Sequence, residues 1–141
     1  MLQEVLPNAA AVRRCVLVVE DNPLNMKLFS AMISAQGYDV LEAENGAGAL
    51  DIARRRHPDL IVMDLQLPDM SGLDVTHALK AADDTQNIPI LATSAFALQS
   101  DDAMIRASGC DGFIAKPIAI SEFLDLVDSF IAPAAASVAV A

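Results

Sequence analysis

Aromatic side chains make up only 4% of the 141 residues, which excludes a core built on stacked rings. Val, Ile, Leu, Met and Ala have to supply it, and a hydrophobic share of 54% is ample. Positive charge is scarce as well. Nine Lys plus Arg face nineteen Asp plus Glu, a net charge of −10, and a phosphate backbone repels a surface of that sign. Direct nucleic-acid binding is therefore not expected. The basic clusters are Arg13-Arg14 and Arg54-Arg55-Arg56. The second precedes "HPDL", where cations complement a helix C-terminus, and reads as a solvated helix end rather than a docking patch. Cysteine is limited to Cys15 and Cys110, too few for a disulfide framework and without metal-ligand spacing to each other, to His57 or to His77. No apolar run reaches the roughly 18 residues of a membrane span. The N-terminal "MLQEVLPNAAAVRR" lacks the charge-first order of a signal peptide. A soluble cytoplasmic protein with reduced thiols is expected.

A charged share of 20% beside that apolar content argues against disorder, and the length suits one domain. The β-branched run "CVLVV", 15–19, is the pattern of a strand covered on both faces, and it ends abruptly in Glu20-Asp21. Asn22 can cap a helix whose first turn admits Pro23, and Leu28, Phe29, Met32 and Ile33 recur at helical spacing until Gly37. A strand over 38–43 follows, then a helix that Asn45 opens and His57-Pro58 ends. "LIVMD", 60–64, repeats the first strand's plan of an apolar run closed by a carboxylate. After a loop with Pro68 and Gly72 come a helix over 73–82, a strand over 88–94, a helix over 96–108, a strand over 112–115 and a helix over 120–131. Strict β/α alternation with short connections implies right-handed crossovers. The expected fold is α/β, a (βα)5 doubly wound five-stranded parallel sheet of flavodoxin-like architecture. Residues 14–131 form the domain, 1–13 a leader, and 132–141 an Ala-rich tail with the character of a frayed end.

In such sheets the site lies at the C-terminal strand ends. Glu20 and Asp21 follow the first strand, Asp64 closes the third, Ser94 the fourth, and Lys116 follows the fifth. Taken singly, each acid reads as a helix cap or a solvated loop residue, the lysine as a surface residue and the serine as a turn. Taken together they define a chemistry. Crowded carboxylates repel unless a cation neutralises them. A set of oxygens without His or Cys suits Mg²⁺, which takes one or two carboxylates and keeps waters for phosphate oxygens. Ser94 and Lys116 would clamp an anion. Asp64, placed centrally, is the candidate nucleophile, able to take a phosphoryl group as an acyl phosphate, while Glu20 and Asp21 hold the metal.

The stretches "VVEDNPLN", "DLIVMDLQLPDMSGLD", "TSAFA" and "FIAKPI" resemble the receiver domain of bacterial two-component response regulators, over nearly the whole chain. The resemblance implies phosphorylation of Asp64 by a phosphohistidine donor, with Glu20, Asp21 and the Gln66 backbone carbonyl holding Mg²⁺. It implies that Ser94 is the switch hydroxyl, that Lys116 is the phosphate partner before a cis peptide at Pro117, and that Gly72 is the glycine after the phosphoacceptor. Strand alternation points Thr93 away from the Ser94 face. Phe113 aligns with the aromatic that couples to the switch. A strand phenylalanine is equally read as plain core packing.

The resemblance implies a phosphoacceptor switch, not an enzyme acting on a separate substrate. A histidine kinase or histidine phosphotransferase is the expected donor. With no output domain after Ile131 and a chain too acidic for DNA, output is expected through a protein target on 96–108, 112–115 and 120–131, in cell-division or cell-cycle control. Leu24, off the buried stripe and next to the acids, is a candidate docking contact, or else a stray surface leucine. Two rivals fit less well. A dehalogenase-like phosphatase needs an acid where Gln66 stands, and a flavodoxin-like cofactor binder needs a phosphate loop where the acidic "VEDNPLN" would repel it.

Overall fold

The computed structural model describes residues 13–95, 103 and 105–132. The leader before residue 13, most of the helix predicted over 96–108, and the tail after residue 132 lie outside them. Five strands form one parallel sheet in the order β2-β1-β3-β4-β5: β1 Cys15–Val19, β2 Asp39–Ala43, β3 Leu60–Asp64, β4 Ile90–Ser94 and β5 Gly112–Ala115. The helices are α1 Pro23–Ala35, α2 Gly46–Arg56, α3 Gly72–Ala81 and α4 Ile120–Ile131. Between β4 and β5, residues 103 and 105–107 are helical.

Local chemistry sets the helix starts. The Asn22 side-chain oxygen accepts from the Leu24 and Asn25 backbone N–H groups at 2.9 and 3.1 Å, and Pro23 occupies the first turn where its missing N–H is not needed. Asn45 and Ser71 cap α2 and α3 in the same way. At the end of α2, His57 adopts a left-handed conformation at φ 45°, and three arginines fill the last turn where they oppose the helix dipole. Among the described residues no helix is long and apolar enough to cross a membrane.

Alternation along each strand divides the core into two layers. Leu17, Val19, Ile61, Met63, Ile90 and Ala92 face α2 and α3, while Val16, Val18, Leu60, Val62, Leu91 and Ile114 face α1 and α4. On the second face Phe29 and Phe123 pack with ring centroids 5.2 Å apart. Helical spacing expected Leu28 to share the buried stripe of α1. Instead Met26, Phe29 and Ile33 form it, and Leu28 is turned to solvent because the buried arc is narrower than the apolar arc.

Candidate functional site

β1 and β3 end at the same edge of the sheet, and the residues just past or at those ends stay in strand geometry. The Glu20 backbone N–H donates to Ala43 O at 3.0 Å, extending the β1–β2 ladder by one rung and directing the side chain to the α1 and α4 face. Its carboxylate is buried and accepts the Asn22 N–H at 3.2 Å. Asp64 is buried too, and its Oδ1 accepts the Gln66 N–H at 2.9 Å. The loop after it folds back on the strand through Gly72 N–H to Leu65 O at 3.0 Å. A side chain at Gly72 would overlap the Asp64 carbonyl oxygen, so this return path admits only glycine. A tie not read from the sequence anchors the same loop: Asp69 accepts the Gly46 and Ala47 N–H groups at the start of α2 at 2.8 and 3.0 Å.

Lys116 reaches this edge from β5. Its N–H donates to Ser94 O at 2.8 Å, the peptide to Pro117 is cis, and its ammonium donates to Glu20 Oε1 at 3.0 Å and lies 3.5 Å from Asp64 Oδ2. One ammonium thus serves a cluster of three carboxylates. Asp21, exposed, completes it, with one oxygen each of Glu20, Asp21 and Asp64 within 4.8 Å of one another. Ligands of octahedral Mg²⁺ at ~2.1 Å stand ~3 to ~4.2 Å apart, so the three carboxylates fit a hard divalent cation.

The Asp64 carboxyl is pushed up to about 6. Burial is the largest cause, with the Glu20 charge adding to it, while the Gln66 N–H and Lys116 pull the other way. Repulsion among the crowded acids contributes in the same direction. It ranks below desolvation because Asp21 stands in solvent and Lys116 offsets part of the Glu20 charge.

The remaining predicted residues spread around this centre. Ser94 closes β4, is buried, and by alternation shares the α2 and α3 face with Phe113. Phe113 is half-buried against that core layer, paired in register with Ala92. Gln66 contacts Asp64 through its N–H, and its side-chain oxygen accepts the Ala95 N–H at 3.4 Å. Leu24 is 67% exposed, and Leu28 at 53% and Ile120 at 58% are exposed with it. Leu28 and Ile120 line a groove of about 600 Å³ with Met32, Pro117, Ile118 and Lys116. No spacing within either helix announced that pairing, since it joins α1 to the start of α4.

Residues 16–128 match the response regulator receiver domain, and the chain belongs to that family. Among characterised relatives it is 47% identical to the polar-differentiation response regulator DivK of Brucella anthropi over 121 residues, covering 86% of this chain and 98% of that protein. It is 46% identical to DivK of Brucella ovis over the same shares. Among solved structures it resembles the receiver domain of a sensor histidine kinase from Pseudomonas aeruginosa, crystallised with magnesium in its active site cleft. The two are 32% identical with a TM-score of 0.79, covering 86% of this chain and all of the other. A response regulator from Chloroflexus aurantiacus, 24% identical with a TM-score of 0.81, shares the fold, covering 86% of this chain and 99% of the other.

Proposed function

We propose that this protein is a phosphorylation switch that accepts a phosphoryl group on Asp64 from a phosphohistidine. The convergence of the Glu20, Asp21 and Asp64 oxygens beside the Lys116 ammonium carries the reading. In the transfer the N–P bond of the donor breaks, a bond from an Asp64 carboxylate oxygen to phosphorus forms, and the released imidazole takes up a proton. Glu20, Asp21, Asp64 and the Gln66 carbonyl would hold Mg²⁺, which would supply neutralisation of the phosphoryl oxygens' charge. The Gln66 N–H orients Asp64, and Lys116 shifts from Glu20 to a phosphoryl oxygen. Ser94 closes on the same group, and Phe113 repacks into the space it leaves, which changes the surface of β5, α4 and the segment before β5.

The donor, a histidine kinase or histidine phosphotransferase, lays its histidine-bearing helix along Leu24, Leu28 and Ile120. Leu28 and Ile120 line an apolar groove that is continuous with the site through Lys116, which lines it and contacts Asp64, and Leu24 is exposed on the same helix. The likeness to DivK supports a cytoplasmic role in cell division or polarity, read out by a protein target bound in the phosphorylated form.

Intact-mass measurement after incubation with a small phosphodonor and Mg²⁺ tests the acceptor. Wild type gains one phosphoryl group and Asp64→Asn gains none; an unmodified wild type would sink the reading. The pair Leu24→Ala with Leu28→Ala slows transfer from a protein donor and leaves labelling by the small donor unchanged. Equal slowing of both reactions would remove the docking role.

A further inference from the structure

Thr93 is 1% exposed, and its Oγ1 has no hydrogen-bond partner among the described residues. An unpaired buried hydroxyl is unfavourable, whereas an apolar group of the same shape would be tolerated there. Its position shows where a partner can come from. Leu91 belongs to the layer under α1 and α4, so a period of two places Thr93 on that same face. Val62 and Ile114 lie in this layer too, which carries Asp64 and Lys116 to it. Thr93 stands in register with Asp64 on one side and Ile114 on the other. Ser94, at the end of β4, leaves the strand on the opposite face, so the two neighbouring hydroxyls approach the rim from different sides of the sheet.

Strand order supplies the rest. Lys116 starts beyond β5 and its ammonium ends between Glu20, past β1, and Asp64, on β3. Its stem must therefore cross β4 on the face that carries Thr93. Two of its three N–H donors are taken by those carboxylates. When the lysine leaves Glu20, its ammonium withdraws from β1 toward β4, and Thr93 is the hydroxyl on that path.

We propose that Thr93 is a positioning residue of the loaded site: its Oγ1 accepts the remaining N–H of Lys116 and holds the ammonium on the phosphoryl group. This rests on Asp64 as phosphoacceptor. The hydroxyl is unpaired at rest and paired when the site is loaded, so it favours the loaded state by the difference.

Thr93→Val keeps the shape and removes the hydroxyl, while Thr93→Ser keeps the hydroxyl. Titration with beryllofluoride and Mg²⁺, followed by the amide shifts of residues 64–66, gives the affinity, and thermal melting without ligand gives the resting state. Thr93→Val is expected to melt above wild type yet bind beryllofluoride about tenfold more weakly, the loss of one hydrogen bond to a charged group. Thr93→Ser should bind within about twofold of wild type. Equal affinity of the valine variant and wild type overturns the role of Thr93, as does a valine variant that melts no higher or a serine variant that binds as weakly as valine. These results leave Asp64 untouched as acceptor; a wild type that does not respond at all overturns both readings.

Discussion

At opposite edges of the sheet a lysine meets carboxylates in two different ways. At the N-terminal edge the Lys80 ammonium donates to Asp111 Oδ2 at 2.8 Å, to Ile88 O at 2.8 Å and to Gln86 O at 3.3 Å, while Asp111 Oδ2 also accepts the Ile90 N–H at 2.8 Å. Each donor has an acceptor, one positive charge faces one negative charge, and both groups keep contact with water. At the C-terminal edge one ammonium serves Glu20 and Asp64, both buried, with Asp21 beside them. The first arrangement is complete as it stands. The second sets one ammonium against three carboxylates, two of them buried, so it is short of positive charge and favours an added cation. The same residue types thus make a clamp at one edge and a receptor for a divalent cation at the other.

The contrast can be broken most severely at the loop that closes the receptor edge. Gly72→Ala drives a methyl into the Asp64 carbonyl and should cost ~3 kcal/mol or more in urea unfolding, because a strand end cannot yield as a side chain would. Next comes Asp64→Asn in the absence of metal. The folded carboxyl sits at about 6 against an ordinary 3.8, so the folded state binds the proton more tightly and ionisation is what costs stability. The penalty is absent below about pH 4, grows between about pH 4 and 6, and is complete above it. The variant should therefore exceed wild type by ~2–3 kcal/mol at pH 8 and match it at pH 4 in parallel denaturant titrations. Mg²⁺ at ten times its dissociation constant should stabilise wild type by ~1.4 kcal/mol in thermal melts and barely affect Asp64→Asn. The smallest effect belongs to the complete edge: Lys80→Met should cost ~1 kcal/mol and leave the Mg²⁺ response unchanged. A Mg²⁺ response that follows Lys80 instead of Asp64 would reverse the assignment of the two edges.

Much of this was legible in the chain. The runs ending in Glu20, Asp64 and Ser94 announce strands that stop at polar residues, and Asn22 and Asn45 announce helix starts, because caps and strand runs are interactions among near neighbours. Strand termini in an alternating β/α chain also foretell that Glu20, Asp21, Asp64 and Lys116 meet at one rim. Leu28 was misplaced because helical spacing says which residues share a side of α1 but not how wide an arc the sheet covers. Asp69 carries no such signal, since its partners, Gly46 and Ala47, belong to a different part of the chain. Ile120 gave no signal either, for its exposure matters only once α1 lies across the groove from it.

By itself the sequence determined the five strands, the helices that the described residues contain, the caps at Asn22 and Asn45, and the set of groups that gather at the C-terminal edge. The order β2-β1-β3-β4-β5 was decided by tertiary structure alone, because no local spacing encodes which strand lies between two others. That order makes the Lys116 stem cross β4 to reach Glu20, sets Thr93 beneath its path, and buries Asp64 deeply enough that desolvation outweighs charge in setting its proton affinity.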